Sequence, residues 1–379
     1  MRVRSCVLLL ILLGWGHRLS ADAIYRVTDL GTLGGSGTQG FAINDAGQIT
    51  GVSSTSTGSL HAFLYSGGQM ADLGTLEGST SAGYGINDAG QVTGESALST
   101  GPSHAFVYGN GHMIDLGTLG PAFGSSSVGY GINDAGQIAG TSFNSTGSSR
   151  AFLYSNGQMM DLGTLAGGFT SYGSGINNAG QVTGSSSSSS SSSHAFLFSN
   201  GQMKDLGTLA GPCDPQTSVC GVDYSFGSAI NDAGQLTGTS SSPTSASETY
   251  AFLDSNGQMT DLGTLHGGSS FGYAINNTGQ LVGASTSPTS IFDHHAILYS
   301  NGQMIDLDDL IDPALGITLT DARGINDKGQ IVANCCEYGV SRSYLLTPIA
   351  AQVPEPDSLG LLGLALLPLL LRRALARRC

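Results

Sequence analysis

The sequence predicts an all-β protein, a seven-bladed β-propeller of four-stranded blades with a short hydrophobic helix at its C-terminus. Three observations predict the propeller. A stretch reading Gly-Ile-Asn-Asp-Ala-Gly-Gln recurs with its isoleucine at Ile43, Ile86, Ile132, Ile176, Ile230, Ile275 and Ile325, in steps of 43, 46, 44, 54, 45 and 50 residues. That is the period of four-stranded blades. Apolar runs such as Ala62-Phe63-Leu64-Tyr65 are strand-length and apolar on both faces, as a blade between two others requires, and periodic helical stripes are missing from the body. Finally, the two ends of the body carry complementary fractions of one unit. The alternative architecture is a β-solenoid that does not close.

Each unit has four strands, written a (Gly-Ile-Asn), b (Gln-Val-Thr-Gly), c (Ala-Phe-Leu-Tyr) and d (Met-x-Asp-Leu-Gly). Asn87-Asp88-Ala89-Gly90-Gln91 reads as a type I turn closed by a left-handed glycine, which pairs a with b. Asn156-Gly157, Asn200-Gly201, Asn256-Gly257 and Asn301-Gly302 are two-residue type I′ hairpin signals, which pair c with d. Strand a is expected innermost, where glycines relieve crowding. The chain opens on an unpaired strand d, residues 24–33, and its repeats end on a, b and c at Pro348. The first strand is therefore expected to complete the seventh blade and remove the sheet edges. Both tight turns fall on one face of the ring. The long b-to-c and d-to-a loops share the other face, with the serine run 185–193 and the segments 213–220 and 311–323.

A length of 379 residues would ordinarily mean two or three domains, but the repeat makes residues 24–350 one body. With 40% hydrophobic and 11% charged residues there is material for a core, and overall disorder is not expected. Residues 24–353 hold 24 Asp and Glu against 6 Lys and Arg, a formal charge of −18, which would repel nucleic-acid phosphates and anionic headgroups.

Residues 1–23 read as a secretory signal: Arg2 and Arg4, an apolar run over 6–15, then Ala21-Asp22-Ala23 before Ile24. The run is short for a retained anchor. Residues 351–379 carry Pro354-Glu355-Pro356, an apolar stretch over 359–371 and Arg372, Arg373, Arg377 and Arg378, which would hold that end cytoplasmic. An ordinary membrane anchor, interrupted by Pro368, is the alternative. In an oxidising compartment Cys213 and Cys220, which bracket a short loop, are expected to form a disulfide, whereas the adjacent Cys335 and Cys336 would be strained as a bridge.

The tail resembles the PEP-CTERM sorting signal of Gram-negative bacteria that make exopolysaccharide, which implies processing by an exosortase-type enzyme, transient membrane insertion and a place at the cell surface or in the matrix. The body resembles the bacterial extracellular repeat family named for His-Ala-Phe, seen at His61-Ala62-Phe63, His104-Ala105-Phe106 and His194-Ala195-Phe196. Arg150, Tyr250 and Ser343 are read as departures at the first position, and His295-Ala296-Ile297 as one at the third. This resemblance implies export and a repeat scaffold, with no established chemistry and no cofactor.

Most candidate chemistry reduces to the repeat. The equivalent histidines could ring a metal, but Arg, Tyr and Ser at the same position argue for packing, and no metal is expected. Asp45, Asp88, Asp134, Asp232 and Asp327 are replaced by Asn178 and Asn277 in two units, so they read as turn formers and not calcium ligands. Asp29, Asp72, Asp115, Asp161, Asp205, Asp261 and Asp306 recur once per unit, which marks a structural residue. Gly268-Ser269-Ser270-Phe271-Gly272 lies in an interblade loop without the context of a nucleophile elbow. Asp308 and Asp309 are adjacent and so would face opposite sides of a strand. Neither Asp214, Asp312 nor Asp321 has an evident acid/base partner, and no enzyme activity is expected.

The position two before each isoleucine is the binding candidate. It holds Phe41, Tyr84, Tyr130, Ser174, Ser228, Tyr273 and Arg323, expected around the mouth of the central channel. Aromatic faces there would stack on sugar rings, and packing between blades is the competing account. The sequence thus points to an exported, non-catalytic binding or structural propeller partnered by exopolysaccharide. A polysaccharide-active hydrolase or lyase and a protein-binding adhesin are the alternatives.

Overall fold

A computed structural model describes residues 24–349, apart from 121–123, 189–191, 211–222, 243–247, 266, 288–289 and 338–339. The Cys213–Cys220 disulfide, the motif Pro354, Glu355 and Pro356, the C-terminal helix and the N-terminal signal all lie outside the described residues. Among the described residues no helix is long and apolar enough to cross a membrane.

Seven four-stranded antiparallel sheets follow one another. Blade 1 has strands Gly34–Ile43, Ile49–Thr55, Leu60–Ser66 and Gln69–Asp72 as a, b, c and d. Blades 2 to 6 repeat this order over 81–115, 127–161, 171–205, 225–261 and 270–306. Blade 7 takes a, b and c from Asp321–Ile325, Ile331–Glu337 and Val340–Pro348, and its fourth strand is Tyr25–Asp29 from the start of the chain. The ring thus closes with the N-terminal strand in the last blade.

Local chemistry accounts for the turns. Asn156, Asn200, Asn256 and Asn301 have φ of 53°, 53°, 59° and 52°, each followed by a positive-φ glycine, as type I′ demands. Asn110-Gly111 and Gly67-Gly68 make the same turn in blades 2 and 1. In the a-to-b turn the Gln91 amide donates to Asn87 Oδ1 at 2.9 Å, and Gly90 sits at φ 75°.

The blade core is the strand-c aromatic. Phe63, Phe106, Phe152, Phe196 and Phe252 are completely buried, and Ile297 and Tyr344 hold the same place in blades 6 and 7. Burying each such side chain contributes on the order of 2 kcal/mol. Register corrects one sequence assignment. Tyr344 pairs with Ala333 as Phe63 pairs with Gly51, and Ser343 O accepts from Leu30 as Ala62 O accepts from Leu73. The residue equivalent to His61 in blade 7 is therefore Arg342 and not Ser343, which stands at the alanine position.

Two closed circuits of hydrogen bonds join the blades where strand a turns into b. Nδ2 of Asn44 donates to the carbonyl of Asn87, and so on through Asn133, Asn177, Asn231, Asn276 and Asn326 back to Asn44, all at 2.9–3.0 Å. The amide of each following residue donates to the next blade's Asp or Asn Oδ1, from Asp45 to Asp88 around to Asp327 and back to Asp45. The recurrent Asn-Asp pair is thus both turn former and interblade clasp.

Candidate functional site at the channel opening

Strand a carries the same irregularity in every blade, and blade 1 has a second between Gly34 and Thr38. Its register against strand b slips between Gly40 and Ala42, Gly83 and Gly85, Gly129 and Gly131, Gly173 and Gly175, Gly227 and Ala229, Gly272 and Ala274, and Ala322 and Gly324. The skipped residues are Phe41, Tyr84, Tyr130, Ser174, Ser228, Tyr273 and Arg323. A bulge leaves its extra residue outside the ladder and re-aims its side chain. All seven line one cavity of about 260 Å³ on the axis, beside Ile43 and five of its six equivalents. The sequence singles out these positions; the bulge is what sends them there, and only the small residues flanking each one signalled it.

The lining is uneven. Going round from blade 6 to blade 3, Tyr273, Arg323, Phe41, Tyr84 and Tyr130 form an unbroken arc, and Ser174 and Ser228 leave the rest open. Phe41 and Tyr84 have ring centroids 5.3 Å apart, Tyr84 and Tyr130 5.4 Å, tilted by 33° and 39°. The guanidinium of Arg323 lies 4.1 Å above the Tyr273 ring, whose other neighbour, Phe271, stacks at 6.3 Å. Asp321 fixes the arginine, accepting from its Nε at 2.8 Å while also accepting from Asn334 at 2.8 Å.

Tyr84 donates its hydroxyl to Glu95 at 3.0 Å. Burial, and then the charge and hydrogen bond of Glu95, push its phenol well above the ordinary value; burial does the same for Tyr130 and Tyr273. These phenols stay neutral; the Tyr84 proton is given to Glu95, and Tyr130 and Tyr273 keep theirs to donate. Tyr130 is the most open of the arc, 40% exposed. Among the described residues the lining holds no histidine, cysteine, lysine or carboxylate. Its chemistry is ring stacking, hydroxyl hydrogen bonds and one held cation.

The opposite end of the channel is a smaller cavity of about 180 Å³ lined by Ile43, Asn44, Asp45 and their equivalents. Burial, with Asp327 and Asp88 adding, raises the Asp45 carboxyl. Asn178 and Asn277 donate to carboxylates on both sides, Asp134 and Asp232, and Asp232 and Asp327. Amides at these two positions thus relieve the crowding of like charge.

The other candidates resolve into structure. Nδ1 of His61, His104 and His194 each meets its own blade's strand-d carboxylate, Asp72, Asp115 and Asp205, within 3.0 Å. Arg150 faces Asp161 at 3.8 Å and Arg342 faces Asp29 at 3.3 Å. The two positions are 11 residues apart in one unit, a spacing that could have paired them in advance. Tyr250, the exception, donates to Glu248. Ser270 opens strand a of blade 6, where its Oγ accepts from Ala251 and donates to Gly263, so the Gly268–Gly272 stretch reaches into a strand and its serine is bonded to backbone. Asp308 and Asp309 are not on a strand as expected but in the 3-10 helix Leu307–Leu310. Asp312 caps the next turn at Ala314. Asp214 lies outside the described residues, as does the side chain of Cys336, and Cys335 is buried with Sγ 3.9 Å from the Tyr344 hydroxyl.

No family profile matches the chain, and no curated protein matches it. Solved propellers resemble it weakly. The protein YCF48 bound to a D1 peptide is 11% identical, with 87% of this chain and 98% of that one covered at a TM-score of 0.46. A gluconolactonase from Xanthomonas campestris is 12% identical, with 88% and 93% covered at 0.41. A lectin from Aleuria aurantia is 11% identical, with 87% and 93% covered at 0.37. A peptide binder, an enzyme and a lectin among them assign no activity to this chain.

Proposed function

We propose that this protein is an exported cell-surface or matrix propeller that binds a sugar residue of an exopolysaccharide in the channel opening, without catalysis. The observation that carries the reading is the asymmetry of the bulge ring. Where fold alone sets the residue, as at the clasp asparagine Asn44 and its equivalents, the seven units agree; at the bulge they diverge into an aromatic arc with one arginine and two serines. Packing needs a residue of similar size in each blade, whereas a site needs a wall and a gap.

The chemistry matches a sugar. Aromatic faces cover the C–H side of a pyranose, and the hydroxyls of Tyr84 and Tyr130 and the Arg323 guanidinium address its oxygens or an acidic substituent. A cavity of about 260 Å³ is small for a ligand site, the usual range being roughly 300–1,000 Å³, so it takes one residue or a chain end and not a length of polymer. The secretory N-terminus and the sorting-signal resemblance supply the address and the exosortase-type and exopolysaccharide partners.

The test is calorimetric titration of the purified chain with exopolysaccharide from producing cells and with its constituent monosaccharides, alongside an assay for new reducing ends. Saturable binding without cleavage is expected. Tyr84→Ala and Tyr130→Ala should each weaken it about fivefold, the equivalent of roughly 1 kcal/mol of stacking. Unchanged affinity in both folded variants would remove the channel opening as the site, and new reducing ends would replace the reading with an enzyme.

A further inference from the structure

Six units read Asp-Leu-Gly at the end of strand d, and blade 6 reads Asp306-Leu307-Asp308. The six glycines sit at φ of 68–77°, whereas Asp308 takes ordinary negative φ within the 3-10 helix Leu307–Leu310, yet the capping bond survives the substitution. The Asp308 amide donates to Asp306 Oδ1 at 2.9 Å just as the Gly74 amide donates to Asp72 at 2.7 Å. What blade 6 gains is a second carboxylate beside its histidine.

Three donor atoms converge there. His295 Nδ1 is 2.7 Å from Asp306 Oδ2 and 3.7 Å from Asp308 Oδ2, and one ligand atom from each residue falls within 4.8 Å of the others. Each carboxylate has its Oδ1 engaged by a backbone amide, Asp306 by Asp308 and Asp308 by Leu319 at 2.9 Å, which leaves Oδ2 for the centre. In blades 1, 2 and 4 the corresponding histidine hydrogen-bonds its aspartate. His295 Nδ1, in contrast, is buried and makes no hydrogen bond among the described residues, despite its short approach to Asp306. A nitrogen and an oxygen in close contact but not aligned for a hydrogen bond, with both carboxylates oriented from behind, match the way ligands stand about an ion.

We infer that His295 Nδ1, Asp306 Oδ2 and Asp308 Oδ2 form a binding site for one divalent transition-metal ion of the zinc type. Ligand bonds of about 2.1 Å in a tetrahedron set donor atoms about 3.4 Å apart, which lies between the two separations to His295. One imidazole and two carboxylates balance the charge of a divalent ion and suit zinc better than calcium, which prefers oxygen throughout. Three protein ligands leave a fourth position for water or an outside ligand, and all three side chains are 19–28% exposed. The ion would also act on closure of the ring. The helix that carries Asp308 accepts the Ile24 amide at Leu310 O, 3.0 Å, and Leu307 and Ile311 share a buried cluster with Tyr25 of the closing strand.

The experiment titrates chelator-stripped full-length chain with Zn²⁺, with Mn²⁺ and Ca²⁺ as comparators, following heat of binding and Tm. One zinc site is expected, with a rise in Tm. Asp308→Asn, which keeps an acceptor for the Leu319 amide, and His295→Gln should each lose that site, with affinity falling about 100-fold or more, and should lose the Tm rise. His104→Gln, at the equivalent place in blade 2, should lose neither. Asp308→Gly restores the sequence of the other six units and serves if Asp308→Asn does not fold. No site lost in the Asp308 variants would overturn the inference, as would a zinc effect on Tm that survives them; tighter binding of Mn²⁺ or Ca²⁺ would overturn the assignment to zinc.

Discussion

Asp254 in strand c of blade 5 contradicts its surroundings. Its position holds Tyr65, Tyr108, Tyr154, Phe198 and Tyr299 in other blades, and it is 1% exposed. Oδ1 accepts from the Gly257 amide at 2.9 Å, whereas Oδ2 is buried without a hydrogen-bond partner among the described residues. Burial raises its pKa, and the Gly257 bond and the charge of Lys204 only partly oppose that. The native state therefore holds its proton above the unfolded value of about 3.9, so stability falls as pH rises through the interval between the two values and stays lower above it. Asp254→Asn keeps the Gly257 bond and removes the charge. It is expected to be more stable than the parent at pH 7 by about 1 kcal/mol, with the gain fading below about pH 4. Urea unfolding at pH 3.5, 5 and 7 checks this, and a difference that does not change with pH would count against it. Comparison of the repeats alone shows that Asp254 is unusual, but not that one of its oxygens is stranded, because that depends on the turn of its own hairpin and on the neighbouring blade.

At the scale of one strand, the bulge in a is what turns a repeat into a site. Its consequence reaches strand b. A Cβ on Gly94 would stand 1.9 Å from the Ala82 carbonyl oxygen and 2.9 Å from Gly83 Cα, both backbone atoms that cannot swing aside. Gly94→Ala should therefore cost about 1–3 kcal/mol and displace the strand that carries Tyr84. The loss should appear both in urea unfolding and in the near-ultraviolet circular dichroism of the aromatic arc. Equal stability with an unaltered aromatic signal would mean that the a–b pair relaxes freely, as blade 7 already does with Ala333 in this place. The strands and their order were legible in the sequence because Asn-Gly and Asn-Asp-Ala-Gly turns each dictate a pairing from local backbone preference. The bulge was not, since its own residue can be Phe, Tyr, Ser or Arg and only the small flanking residues recur. The clasp was hidden for a related reason: Asn87 bonds to Gln91 within its own turn, and that role accounts for its recurrence without its third bond, to Asn133.

The whole ring depends on a seam that resembles its other joints in one respect and differs in another. Asn326 reaches Asn44 O at 2.9 Å and the Asp327 amide reaches Asp45 at 2.8 Å, so the clasp crosses from blade 7 to blade 1 without a weaker link. The sheet of blade 7, however, is joined from both ends of the body, and its outer strand is held by pairing and burial instead of a hairpin. Tyr25 and Leu30 are nearly buried there, and Arg342 meets Asp29. Removing residues 24–33 should leave seven inner strands and the clasp intact but expose one edge of strand c in blade 7, together with the apolar surface around Tyr344 and Leu346. An exposed edge of that kind recruits another strand, so the shortened chain is expected to form dimers and larger species in size-exclusion chromatography. A peptide of residues 24–33 supplied separately should return it to a monomer. If the shortened chain stays monomeric and equally stable, the clasp alone closes the ring, and the strand exchange at the seam adds little beyond the first blade's position in the sequence.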